Sequence, residues 1–122
     1  MALQMNHREA GGVIVVDLCG RITLGEGCEQ LSQFLAEHVG KGHTKILLNL
    51  AEVTFVDSAG IGVLTKGFIV AKKKGGGIKL LNLTAKIRDL LQITNLYTIF
   101  EVFSDEQAAV SSFGEWVTGN RW

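Results

Sequence analysis

The segment Phe55-Val56-Asp57-Ser58-Ala59-Gly60-Ile61-Gly62 places a carboxylate, a hydroxyl and two glycines where an apolar run gives way to a helical pattern. Asp and Ser at such a junction cap a helix, because a side-chain oxygen accepts from backbone N–H groups that the first turn leaves without partners. If Asp57 caps, Ser58 takes the first helical position and its hydroxyl is free to face solvent. Gly60 and Gly62 each cost roughly 1 kcal/mol of helix propensity relative to alanine. Something must favour them, either close approach of another backbone or tight packing of helix on sheet. In an α/β sheet, such strand-to-helix junctions are where ligands and partners are received.

A nucleophilic serine needs a base, and none of His7, His38 and His43 lies close to Ser58 in sequence. These are expected to be solvated histidines on the N-terminal tail, the first helix and the turn after it. The five-residue interval from His38 to His43 does not put two imidazoles on one helical face, so no metal site is expected. Cys19 and Cys28 form no CxxC pair and read as reduced thiols, with Cys19 a small hydrophobe ending an apolar strand. Gly60-x-Gly62 lacks the third glycine and the following acid of a dinucleotide fingerprint. Lys72-Lys73-Lys74 reads as a solvated helix end with little electrostatic footprint. These features together point to a binding module, not an enzyme, with no cofactor.

The elements that must position the motif follow from periodicity. Residues 13–18 are mostly β-branched, and Gly11-Gly12 before them suits a tight hairpin with residues 4–10. Leu31, Phe34, Leu35 and Val39 recur at helical spacing from Glu26, with Gly40 and Gly42 closing the pattern. Lys45–Leu50 is short and apolar, as in a central strand, and Val53–Val56 carries the apolar run to Asp57. Ile61, Leu64, Phe68 and Ala71 step along a second helix that ends in three lysines and Gly75-Gly76-Gly77. Residues 78–83 read as a strand, Thr84 as a cap, and Ile87, Leu90, Leu91 and Ile93 as an amphipathic helix. Tyr97–Phe103 reads as the last strand, and Ser104-Asp105-Glu106 opens a final helix with Ala109, Val110, Phe113, Trp116 and Val117 on its apolar side. Trp122 ends the chain. A hairpin followed by alternating helices and strands predicts an α/β fold with a mixed, mostly parallel sheet covered by about four helices.

The 122 residues, 47% hydrophobic, suit one domain, 1–122, with one core. With 12 basic and 12 acidic residues, no net field draws the chain to nucleic acid or an anionic membrane. The residues from Met1 to Glu9 do not form a signal peptide, and no apolar run approaches the ~20 residues of a spanning helix. A cytoplasmic protein with a protein partner is expected.

The motif at 55–62 resembles the hydrophobic-Asp-Ser-Ser/Ala-Gly-Leu/Ile-Gly signature of STAS-domain anti-sigma-factor antagonists. The resemblance extends to Gly20-Arg21-Ile22-Thr23, to Ile46–Leu50, to Gly75–Leu81, and to Phe100–Phe103 with the closing helix. It implies a STAS-like fold and a switch. The motif serine, Ser58, would be phosphorylated by a serine-kinase anti-sigma factor of the GHKL type and dephosphorylated by a metal-dependent serine phosphatase. The unphosphorylated form would bind the anti-sigma factor and free a sigma factor. Asp57, Ser58, Ala59, Gly60, Ile61 and Gly62, with Thr23 and Glu26, would form the partner-binding surface. Thr23 stands where many such antagonists carry an acid, leaving Glu26 as the nearest one, and Ala59 leaves Ser58 the sole hydroxyl of the motif. A non-switching STAS subunit of a stress-sensing assembly, or of a lipid or anion transporter complex, is the alternative the same fold allows.

Overall fold

The computed structural model describes residues 3–119, with side chains through Phe113. In chain order the elements are β1 (Leu3–Ala10), β2 (Val13–Ile22), α1 (Glu26–Gly40), β3 (Lys45–Val56), α2 (Ser58–Lys73), β4 (Gly77–Leu81), α3 (Ala85–Ile93), a 3₁₀ turn (Leu96–Thr98), β5 (Val102–Phe103) and α4 (Glu106–Gly119). One five-stranded sheet runs in the order β1-β2-β3-β4-β5. Its first pair is antiparallel and the others are parallel, the mixed α/β architecture that the alternation of elements predicts. Gly11 and Gly12 turn the hairpin at φ 58° and 81°. Two consecutive positive φ angles match the twist of the flanking strands and set the register that pairs Ala10 with Val13.

Alternation along the strands separates two apolar faces. Ile14, Val16 and Leu18 of β2, Ile46, Leu48 and Leu50 of β3, and Ile78 and Leu80 of β4 join the inward residues of α1, α2 and α3 in the larger cluster. Val13, Val15, Leu47 and Leu81 face the other way and are covered by Ala109 and Phe113 of α4. Ile46, Leu47 and Leu48 are fully buried, as a strand covered on both faces requires. Trp116, Val117 and Trp122 lie outside the described side chains.

Four expectations are corrected. The apolar stretch at 45–50 and the one at 53–56 are a single 12-residue strand. Tyr97–Phe103 is not one strand: Asn95 is left-handed, residues 96–98 form the 3₁₀ turn, and only Val102 and Phe103 pair with Leu80 and Leu81. That stretch is apolar because Leu96, Tyr97, Phe100 and Val102 pack on the larger cluster, which a run without alternation does not distinguish from pairing. Ile93, expected on the apolar side of α3, is 81% exposed. Cys19 sits inside β2, not at its end, and is exposed, whereas Cys28 is buried.

A chain of polar groups ties the α4 face together. The Arg8 guanidinium of β1 donates to both oxygens of Asp17 on β2, at 3.0 and 3.3 Å, and to both of Glu106 on α4, at 2.6 Å each. Asn49 of β3 donates to Asp17 at 2.8 Å, and Asn82, just past β4, donates to Asn49 at 3.1 Å. Hydrogen bonds from Arg8 are the main reason the Asp17 and Glu106 carboxyls are held below their ordinary values of 3.8 and 4.5. A carboxyl depressed by folding stabilises fully above its ordinary value, and that contribution is lost as the pH falls through the folded one. Because these groups are partly exposed, solvent screens them, and each pair contributes at most about 1 kcal/mol. Arg8→Met should therefore lower stability by about 1 kcal/mol near neutral pH. In thermal melts at a series of pH values, the gap between variant and wild type should close as the pH drops below the ordinary carboxylate range. A gap that persists in acid would show that Arg8 acts through packing.

Candidate functional site

Val56 ends β3 and the chain enters α2 through Asp57, whose backbone is extended at φ −96° and ψ −174°. The Asp57 carboxylate uses one oxygen on each of two elements. Oδ1 accepts from Gly60 N at 2.8 Å, which caps α2, and Oδ2 accepts from Leu24 N at 2.9 Å, in the loop between β2 and α1. The Leu24 hydrogen bond is the larger cause, and the Gly60 one the next, of a pKa below the usual carboxylate range, so Asp57 is an anion at neutral pH. Asp57 N also donates to Ile22 O at 3.3 Å.

Gly60 explains itself at this seam. A Cβ there would lie 2.2 Å from the Ile22 carbonyl oxygen and 2.8 Å from a Val56 methyl, so only glycine lets the first turn of α2 sit against the end of β2. Gly62 differs: it is exposed, and a Cβ there meets nothing within 4 Å. The two glycines that the sequence presents alike therefore have different origins.

Ser58 opens α2 and is exposed. Ala59 is half-buried, while Gly60 and Ile61 are buried beneath it. Around this point the surface is partly apolar: Leu24 is 80% exposed, and Phe55 is 43% exposed with the Arg21 guanidinium 5.6 Å from its ring centre. Thr23 is half-buried and its carbonyl accepts from Cys28 N at 3.1 Å, while the exposed Glu26 begins α1. Thr23 and Glu26 thus flank the loop that Asp57 holds. Leu24, which belongs to this surface and to no motif, is signalled in the sequence only by a large aliphatic side chain before Gly25, which turns at φ 106°. Cys28 lies close enough for Asp57 to add to the rise of its thiol pKa, a rise caused first by burial, which makes it an inert thiol.

The histidines are elsewhere, and not as isolated surface groups. His7 lies in β1 and not on a tail, and its ring stands 5.2 Å from His38 and 5.3 Å from Phe34. Phe34 stacks on His38 at 4.1 Å, and His43 follows at 5.8 Å from His38. His38 Nδ1 lies 3.1 Å from the Phe34 carbonyl, which can only accept, so that nitrogen carries the proton. This group gathers at the C-terminal end of α1, whereas the Asp57 loop contacts its N-terminal end. Among the described residues, no three His, Cys, Asp or Glu side chains are placed to hold a metal ion. No helix of the described residues is long and apolar enough to cross a membrane.

A mixed sheet with three helices on one face and one on the other, and an exposed serine opening the helix after the central strand, define an α/β domain of the STAS class. The family model described as "Mlab, STAS domain" matches residues 5–101, and the chain belongs to this STAS family. Its sequence is 36% identical over 61 residues to the anti-sigma-B factor antagonist of Bacillus subtilis, covering 50% of this chain and 56% of that one. It is 24% identical over 112 residues to the anti-sigma F factor antagonist of Paenibacillus polymyxa, covering 91% and 95%. The fold matches that of the Bacillus cell fate determinant SpoIIAA in its phosphorylated form, with a TM-score of 0.71, 22% identity, and coverage of 91% and 98%.

The seam at Gly60 makes an unequal pair of substitutions. Gly60→Ala should cost about 1–3 kcal/mol, because a backbone oxygen blocks the added carbon and the helix must shift. Gly62→Ala should be neutral or stabilising by up to ~1 kcal/mol, since it only gains helix propensity. Urea unfolding of both variants measures this directly; equal effects would refute the close-approach account.

Proposed function

We propose that the chain is an anti-sigma-factor antagonist switched by phosphorylation of Ser58. The observation that carries this is the exposed Ser58 at the first position of α2, beside an ionised Asp57 and a partly apolar surface. Family membership and the names of the relatives support it. In the unphosphorylated state this surface meets a serine-kinase anti-sigma factor of the GHKL type and so releases a sigma factor. The kinase transfers the γ-phosphoryl group of ATP to Ser58 Oγ: an Oγ–P bond forms, the β–γ bridge breaks, and ADP leaves with the hydroxyl proton passed to a base of the kinase. A metal-dependent phosphatase reverses the state by hydrolysis, returning the hydroxyl and inorganic phosphate.

Phosphate brings about −1.5 to −2 charges to a position next to an existing carboxylate. The amides of the α2 N-terminus offset part of that charge within the domain, so the fold tolerates it. A partner surface shaped for a neutral hydroxyl has to desolvate it, and binding is lost. The chain itself is a substrate and a binding module in this cycle. A second reading, a non-switching STAS subunit of a stress-sensing assembly or of a lipid or anion transporter complex, is supported on the transporter side by the likeness of this fold to part of the murine anion transporter Slc26a9, with a TM-score of 0.73 and 25% identity over 88% of this chain and 18% of that one.

Titration calorimetry with a purified serine-kinase anti-sigma factor separates the two. Ser58→Ala should bind within about twofold of wild type, whereas Ser58→Glu should weaken binding by tenfold or more, a loss of ~1.4 kcal/mol. Thermal melts of both should stay close to wild type. Equal binding of the acidic variant would leave Ser58 a plain helix opener and transfer the chain to the second reading.

A further inference from the structure

Leu24 and Ile93 are the most exposed large apolar side chains among the described residues, at 80% and 81%. An exposed aliphatic residue is ordinary on a protein surface. What separates the two is how they are held. Ile93 ends α3, and among the described residues no side chain hydrogen-bonds to it. Leu24 sits in a loop fixed on both sides: Thr23 O accepts from Cys28 N at 3.1 Å, Gly25 O from Glu29 N at 3.0 Å, and Leu24 N donates to Asp57. The last bond connects the loop itself to the residue next to Ser58, beside the bond from Asp57 N to Ile22 O at the end of β2. α1, which follows, has no side-chain cap of its own, so the Asp57 carboxylate is the acceptor this loop draws from outside itself.

We propose that Leu24 is a docking anchor for the protein partner of this chain, inserted into an apolar pocket of the serine-kinase anti-sigma factor, and that Asp57 holds it in place. The inference rests on the reading of the previous subsection and deepens it. The partner meets Leu24 together with Phe55 and the Ser58 hydroxyl, as one surface. An anchor already fixed by the domain loses little freedom on binding, so the contact is favourable only while the Asp57 tether is intact. A charge at Ser58 then acts twice. It confronts the partner directly, and it repels the Asp57 carboxylate, which weakens the hydrogen bond from Leu24 N to Oδ2 and frees the Leu24 amide.

Asp57→Asn separates capping from tethering, because asparagine caps helices as well as aspartate does. Its single carbonyl oxygen accepts from Gly60 N, and the amide NH₂ in place of Oδ2 cannot accept from Leu24 N. In hydrogen exchange of the free protein, the Leu24 amide should exchange at least tenfold faster than in wild type in Asp57→Asn, with Gly60 little changed there, and at least tenfold faster in Ser58→Glu as well. In titrations with the purified anti-sigma kinase, Leu24→Ala should bind at least tenfold more weakly at unchanged melting temperature, and Leu24→Met should recover most of the affinity. Wild-type binding matched by Leu24→Ala would overturn the anchor and leave the switch standing. Unchanged Leu24 exchange in both variants would overturn the tether. A wild-type chain that binds no such kinase would overturn the reading on which both rest.

Discussion

One carboxylate joins the junction of a strand and a helix to a loop 33 positions away. Asp57 follows the central strand, caps α2 through Gly60 and holds the β2–α1 loop through Leu24. Its two oxygens are each committed to a backbone N–H, the arrangement that lowers a carboxyl pKa because both bonds are made to the charged form. The site is therefore an anion at rest, before any modification. Gly60 makes this possible from the other side: without a Cβ, the first turn of α2 approaches the Ile22 carbonyl, so the loop and the helix end lie within reach of one side chain.

The layers beneath the site account for its rigidity. β3 carries Asp57, and its first half is paired on both sides, to β2 from Ile46 and to β4 from Lys45 to Asn49. Its second half is paired to β2 alone, with register shifts near Cys19 and Arg21 that bend the pair as it nears the site. Phe55 is left half in solvent by that turn of the strand, with Arg21 over its ring. Three helices cover the face into which Ile61 and Leu64 project, so the inner side of α2 is fixed by packing while its first residue stays free.

Much of this was legible in the residues, where a local rule had a single solution. Gly11-Gly12 between two β-rich runs specifies a tight hairpin, Thr84 before periodic apolar residues specifies a cap, and Asp57-Ser58 offers one; the hairpin and both caps are found, Thr84 accepting from Ile87 N at 3.3 Å and Asp57 taking the second cap. What failed depends on contacts between distant segments. The gathering of His7 with His38 needs β1 to lie beside α1, which follows from sheet order and not from spacing. Gly60 and Gly62 differ only in what stands opposite them, and two residues along a helix point to different sides. The motif marked Ser58 from the start, but the second oxygen of Asp57 reaches across 33 positions to Leu24, and nothing in the composition of the loop announces it.

The two faces of the sheet also bear on how a local charge remains local. The α4 face is tied to the hairpin by Arg8, Asp17 and Glu106, and its apolar cluster shares no residue with the one behind α2. The intervening strands are buried on both sides and packed without room to drift, so they transmit only changes large enough to repack a core. Charge placed at the start of α2 meets softer neighbours: solvent, the amides of the first turn and a loop held by one carboxylate. Its effect is spent on those. On the proposed reading, a charge at Ser58 would alter the surface around it while the sheet, the hairpin and the last helix stay as they are, which is what a switch read by an interface requires.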